Sequence, residues 1–187
     1  RVYPRGSDFA HVLGYVGPVS DYDLARIDDP DQLLRIPRFQ IGKVGVEAKA
    51  EGPLRGKGGA KRVEVNATGR VMRELDRREG TPGSDLQLTV DADLQSYVQA
   101  RLGNESASAI VMDVKSGDLV AIASAPTFDP NLFVRGISND DYAALTENSR
   151  RPLASKSVQG SYPPGSTFKM IVAMAALEDG LIEPEET

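Results

Sequence analysis

The chain has 187 residues, 40% hydrophobic and 26% charged, which is ordinary globular usage and allows a packed core in one large or two small domains. A net charge of −5 gives no basic footprint for nucleic acid; the absence of cysteine excludes disulfides and thiolate metal sites, and a single histidine, His11, speaks against both a histidine-rich metal site and a Ser-His-Asp triad. No run reaches the roughly 18 apolar residues of a membrane helix, and Arg1 opens directly into polar, turn-rich sequence without a signal peptide, so any targeting segment is expected outside this chain.

From Arg1 to Gly83 the sequence is dense in glycine and charge. HVLGYV (11–16) and KRVEV (61–65) read as short strands between turn signals such as RG and GKGG. Asp28, Asp29, Pro30 and Asp31 precede QLLRI, a short capped helix. This half reads as extended and irregular, with little continuous apolar surface, a non-catalytic platform. The boundary falls at GTPGS, Gly80 to Ser84.

Beyond it the texture changes. DLQLTV (85–90) predicts a strand, and Asp91 or Asp93 caps a helix that runs to Gly103. SASAIVMDV and DLVAIASA, separated by Lys115-Ser116-Gly117, predict a hairpin whose near-continuous hydrophobicity suggests burial on both faces. TFDPN is a turn, and SNDDYAALTEN is a helix capped by Ser138 or Asn139. The last helix starts near Ser166 and ends at Gly180.

That last helix carries chemistry. Ser166 has the character of an N-cap, but a capping box wants Glu or Gln three residues later, and the sequence supplies Lys169. A lysine there opposes the positive end of the helix dipole. A catalytic serine explains it: residues three apart lie on one face, so the amine reaches the hydroxyl. The dipole and burial favour the neutral amine, which takes the serine proton. The preceding Pro-Pro-Gly presents the serine at a helix start, where backbone N–H groups can stabilise an oxyanion. S-x-x-K alone is a weak signal, since about one chance match is expected in such a chain.

The context is more specific. YPPGSTFK (162–169) resembles the active-site serine box of the penicillin-binding proteins. LTVDADLQ (88–95) and VMDVKSGDLVAIASAPTFDPNLF (111–133) are similar to segments that precede that serine in the family. FQIGKVGVE, LRGKGG and VEVNATGRV resemble the pedestal of its monofunctional class B members, and within that class IGKVGVE and VEVNATGR look more like the cell-elongation enzyme, penicillin-binding protein 2, than the septal one. The implied architecture is α+β: a β-rich pedestal over 1–83, of the dimerisation type, then the N-terminal portion of a penicillin-binding transpeptidase α/β domain over 84–187. The implied activity is peptidoglycan D,D-transpeptidation, with Ser166 as nucleophile and Lys169 as acylation base and no cofactor. Peptidoglycan stem peptides and β-lactams are the implied ligands; a glycan polymerase and a scaffold protein are implied partners of the pedestal. The implied location is periplasmic, on an inner-membrane anchor not present in this chain.

The resemblance has gaps. Only 18 residues follow Lys169, and they hold neither an S-x-N nor a K-[TS]-G box. Lys115-Ser116-Gly117 spells the latter, but it precedes the nucleophile and sits at a hairpin turn. Ser155-Lys156-Ser157 stands where an asparagine–arginine pair is expected. The chain therefore reads as a fragment with negligible activity by itself. His11 has no apparent ligand partners; Asp28, Asp29, Asp31, Glu183, Glu185 and Glu186 read as solvated turns; Gly56, Gly58 and Gly59 lack the spacing of a phosphate loop. Asp113 and Asp129 read as strand-end and turn residues. Two further readings stand beside the first: a β-lactam-sensing or β-lactam-hydrolysing serine protein, which a pedestal argues against, and a non-catalytic module docking on cell-wall elongation partners.

Overall fold

The computed structural model describes residues 1–28 and 30–185. A 3₁₀ turn (Gly6–Phe9) leads into helix α1 (Ala10–Leu13), strand β1 (Val16–Pro18) and helix α2 (Asp21–Leu24). Ser20 and Asp23 close a capping box at α2, the reciprocal arrangement that satisfies two otherwise free N–H groups. A second 3₁₀ turn (Gln32–Arg35) precedes strand β2 (Gln40–Gly42), helices α3 (Gly45–Lys49) and α4 (Glu51–Arg55), and the hairpin of β3 (Ala60–Val65) and β4 (Val71–Arg78). The second half holds helix α5 (Ala92–Leu102), the hairpin of β5 (Ala107–Met112) and β6 (Leu119–Ala125), then helices α6 (Asn131–Val134), α7 (Asn139–Thr146), α8 (Lys156–Gln159) and α9 (Lys169–Glu178). A third 3₁₀ turn, Gly165–Phe168, opens directly into α9.

The described sheets are antiparallel ribbons of two strands: β1 with β2, β3 with β4, β5 with β6. The mixed α+β class expected from the sequence is observed. Several local expectations are corrected. HVLGYV is not one strand: His11 to Leu13 are helical, Gly14 turns the chain at φ +75°, and only Val16 joins a ladder. QLLRI is a 3₁₀ turn rather than an α-helix, with the Asp31 side chain accepting from Leu33 N–H at its start. DLQLTV forms no strand; beyond it, Asp91 N–H donates to Val120 O without a ladder developing. Asp29 and Glu186 lie outside the described residues.

The platform is also less poor in core than its composition suggests. Tyr3 and Val16 pack with Val134, and Ala10 packs with Phe128 and Phe133, so the first 16 residues build the core together with residues 128–134. Tyr15 stacks on Phe133 at 4.0 Å between centroids, and Phe128 meets Phe133 edge-on at 5.7 Å, both favourable aromatic geometries. Hydrogen bonds sew the same junction. Asn131 Nδ2 donates to Tyr3 O and its Oδ1 accepts from Tyr3 N–H; Thr127 Oγ1 donates to Ser7 O at 2.7 Å. Tyr3 donates its hydroxyl to buried Glu47, which also pairs with Arg1; burial, and then the Glu47 charge, pushes the phenol up to about 12.

The β5–β6 hairpin departs from two-faced burial. β6 is buried, with Ala121, Ala123 and Ala125 at 0%, 1% and 0% exposure, whereas β5 alternates and ends exposed. β6 is covered because α5 lies along it and completes its free edge with two buried glutamines. Gln95 Oε1 accepts from Ile122 N–H while its Nε2 donates to Ile122 O and Asp8 O, and one turn later Gln99 donates to Ser124 O. The glutamine amides stand in for a neighbouring strand, which leaves that stretch of edge closed to other chains.

Candidate active site

The final helical stretch is built by local rules. Pro163 and Pro164 fix φ before it, and Gly165, at φ +55°, supplies the left-handed turn that admits the 3₁₀ segment. At the other end Gly180 (φ +67°) makes a Schellman stop: its N–H donates to Leu177 O, and Leu181 N–H donates to Ala176 O.

Ser166 is the second residue of the 3₁₀ turn and Lys169 is the first of α9, so the serine lies at a helix start as expected. The 3₁₀ geometry sharpens the pairing. Three residues per turn place i and i+3 directly above one another, whereas an α-helix leaves them about 60° apart. Lys169 N–H donates to Ser166 O, which locks the register of the two residues. Thr167 is turned away, its hydroxyl donating back to Pro164 O. Among the described residues neither Ser166 Oγ nor Lys169 Nζ has a hydrogen-bond partner, and both side chains are exposed in this stretch.

The approach to this turn is held from behind. Helix α8 packs on β5 and β6, and the N–H of its first residue, Lys156, donates to Ser124 Oγ at 2.9 Å. Burial, reinforced by the Arg151 charge, holds the Lys156 ammonium below the usual lysine range. Gly160 follows α8; a Cβ there would overlap Lys156 O and the Tyr162 ring. Sequence reasoning passed over Ser124 and Gly160. A serine inside an apolar strand and a glycine between polar neighbours carry no signal until their partners are known.

The remaining candidates take structural roles. Asp113 Oδ1 accepts from the N–H groups of Lys115 and Ser116, and those bonds, Ser116 first, hold the carboxyl below the usual range; Lys115-Ser116-Gly117 is thus the hairpin turn. Asp129 accepts from Asn131. Lys57 and Thr81 exchange backbone hydrogen bonds beside Gly56 and Gly58, which makes GKGG a turn anchored to the boundary segment. His11 meets Phe128 edge-on at 5.3 Å with Nε2 unpaired; burial pushes its imidazole down, the Lys156 charge adds to this, and the carbonyls of Pro126 and Pro152 oppose it.

Comparison with known proteins extends these observations. Residues 1–88 match the penicillin-binding protein dimerisation domain, and residues 107–187 match the penicillin-binding protein transpeptidase domain. The chain is 42% identical over its whole length to the peptidoglycan D,D-transpeptidase MrdA of Escherichia coli K12, of which it spans 30%. It is 41% identical to MrdA of Acinetobacter baumannii, covering 98% of this chain and 27% of that one. Among solved structures it superimposes on penicillin-binding protein 2 from a complex with MreC of Helicobacter pylori (TM-score 0.87, 34% identity, 99% of this chain and 34% of that one). It likewise matches penicillin-binding protein 2 of Pseudomonas aeruginosa, solved with WCK 5153 (TM-score 0.82, 34% identity, 100% and 37%).

Proposed function

The chain belongs to the penicillin-binding proteins, and on that premise we propose that it forms the front portion of a serine-type peptidoglycan D,D-transpeptidase of cell elongation. In this reading residues 1–83 are the non-catalytic pedestal and residues 84–187 open the transpeptidase domain. The observation that carries it is the placement of Ser166 and Lys169 three residues apart at a glycine- and proline-fixed helix start, with Lys169 N–H donating to Ser166 O, inside the stretch that matches the transpeptidase family.

Lys169 Nζ accepts the Ser166 hydroxyl proton as Oγ attacks the carbonyl carbon of a D-Ala-D-Ala amide. The C–N bond breaks, the proton passes to the departing amine, and D-alanine leaves. An amine of a neighbouring stem peptide then attacks the ester and releases Ser166. A β-lactam presents the same carbonyl, but its leaving nitrogen stays tethered, which favours a stalled acyl-enzyme.

The comparisons also support a setting. The Helicobacter relative was solved with MreC, and the corresponding pedestal here is proposed to meet a scaffold protein and a glycan polymerase. No helix among the described residues is long and apolar enough to cross a membrane, and the proposed periplasmic placement relies on an anchor outside this chain. The test is D-alanine release from a pentapeptide-bearing disaccharide by the gene product at its natural length. Release by the natural sequence and none by Ser166→Ala is expected; equal release by both removes Ser166 as nucleophile.

A further inference from the structure

We propose that Ser124 is a positioning residue for the serine box, and that with Gly160 it sets the place from which Ser166 attacks. The inference rests on Ser166 being the nucleophile. It starts from an oddity in β6. Ser124 is 0% exposed in a strand that otherwise uses alanine for its most buried positions, and a buried hydroxyl is costly unless it is hydrogen-bonded. Its bond runs out of the sheet. Ser124 Oγ accepts from Lys156 N–H at 2.9 Å and lies 3.5 Å from Ala154 O.

Lys156 is the first residue of α8, a single turn too short to hold itself and with orphan N–H groups at its start. The residue before it, Ser155, is of a capping type but makes no capping bond; its hydroxyl lies 3.2 Å from that of Ser157. The cap comes instead from Ser124, about 30 residues earlier in sequence, within the best-buried strand of the second half. At Gly160 a side chain would strike Lys156 O and the Tyr162 ring, and Pro163 and Pro164 then fix two backbone angles before the turn that carries Ser166. Among the described residues the Ser124 bond is the last side-chain hydrogen bond between the buried sheet and the serine box, and a displacement at Lys156 passes along the connecting segment to Ser166. Small misplacements of a nucleophile cost rate far more than they cost stability.

The experiment uses the gene product at its natural length with a penicillin, and separates the noncovalent dissociation constant from the acylation rate constant. Ser124→Ala removes the acceptor. Lys156→Pro removes the donor from the other side: proline is tolerated at a first helical position, and Ser155, at φ −72° and ψ 101°, already has the extended backbone required before proline. Lys156→Ala controls for the lysine side chain, and Ser166→Ala is the blank. Expected is an acylation rate about tenfold lower in both Ser124→Ala and Lys156→Pro, with noncovalent affinity held within about twofold and Lys156→Ala at the natural rate. The double variant is expected to be no slower than either single one, because both remove one bond. Natural acylation rates in the two single variants overturn the proposal, as do effects that multiply in the double variant. Should Ser124→Ala fail to fold, Lys156→Pro decides alone, since it leaves the buried serine in place. If the natural protein is not acylated, or Ser166→Ala still is, the proposed nucleophile falls and this inference falls with it.

Discussion

β6 and α9 are written in nearly the same alphabet, LVAIASA and KMIVAMAALE, yet they end in opposite environments. β6 has three alanines at 0–1% exposure, while no residue of α9 is buried and Met170 and Met174 stand 72% and 68% exposed. The chain spans 30% of the MrdA relative, so the exposure of α9 describes this stretch alone. β6 is covered because β5 pairs one edge and the amides of Gln95 and Gln99 close the other. α9 forms from the instructions at its two ends, the Gly165 turn and the Gly180 stop. Within this stretch β6 is held by tertiary contacts and α9 by the signals at its ends, and substitutions should separate the two.

The largest loss belongs to the junction that supports β6. Phe133→Ala removes the ring stacked on Tyr15 and packed on Phe128, and is expected to cost about 3–5 kcal/mol in urea unfolding. A cost below about 1 kcal/mol would mean that the two halves fold without this core. Next comes Gln95→Leu, which keeps size and apolar contact but leaves Ile122 N–H, Ile122 O and Asp8 O unpaired. We expect about 2–3 kcal/mol; a neutral outcome would show that the β6 edge does not depend on the glutamine.

Acidity probes the same junction. A buried imidazole with a depressed pKa favours the fold while neutral, so the His11 contribution is complete above about pH 6.5 and is lost as pH falls below it. Replacing His11 with glutamine is expected to flatten that slope. At the alkaline end the phenol of Tyr3 is raised to about 12, so its contribution is complete below about pH 10 and fades between there and about 12; Tyr3→Phe removes this limb. An unchanged slope in either variant would place the pH dependence elsewhere. The smallest effect falls on α9. Met174→Ala is expected to change the stability of this chain by no more than about 0.5 kcal/mol, because the side chain is exposed and alanine favours helix.

The same division explains what the sequence revealed. Elements with punctuation were legible: the Asp91 cap of α5, the Ser138 cap of α7, the Gly117 turn and the Gly180 stop. The helix start at Ser166 was legible too, and its lysine, which contradicts the preference of a helix start, is what asks for a chemical reason. Features set across the chain were not. DLQLTV has strand composition, but its neighbours provide no ladder; HVLGYV also reads as a strand, yet Gly14 breaks it into helix and strand. Gln95, Gln99 and Ser124 looked like ordinary polar residues, and their importance comes from partners 25–32 positions away.

The central claim, that Ser166 is an acylating nucleophile, is tested most directly by intact-mass spectrometry of the gene product at its natural length, with and without a penicillin. One covalent adduct per chain, absent in Ser166→Ala, is the predicted result. A folded protein that gains no adduct, or an adduct that survives in Ser166→Ala, would contradict it.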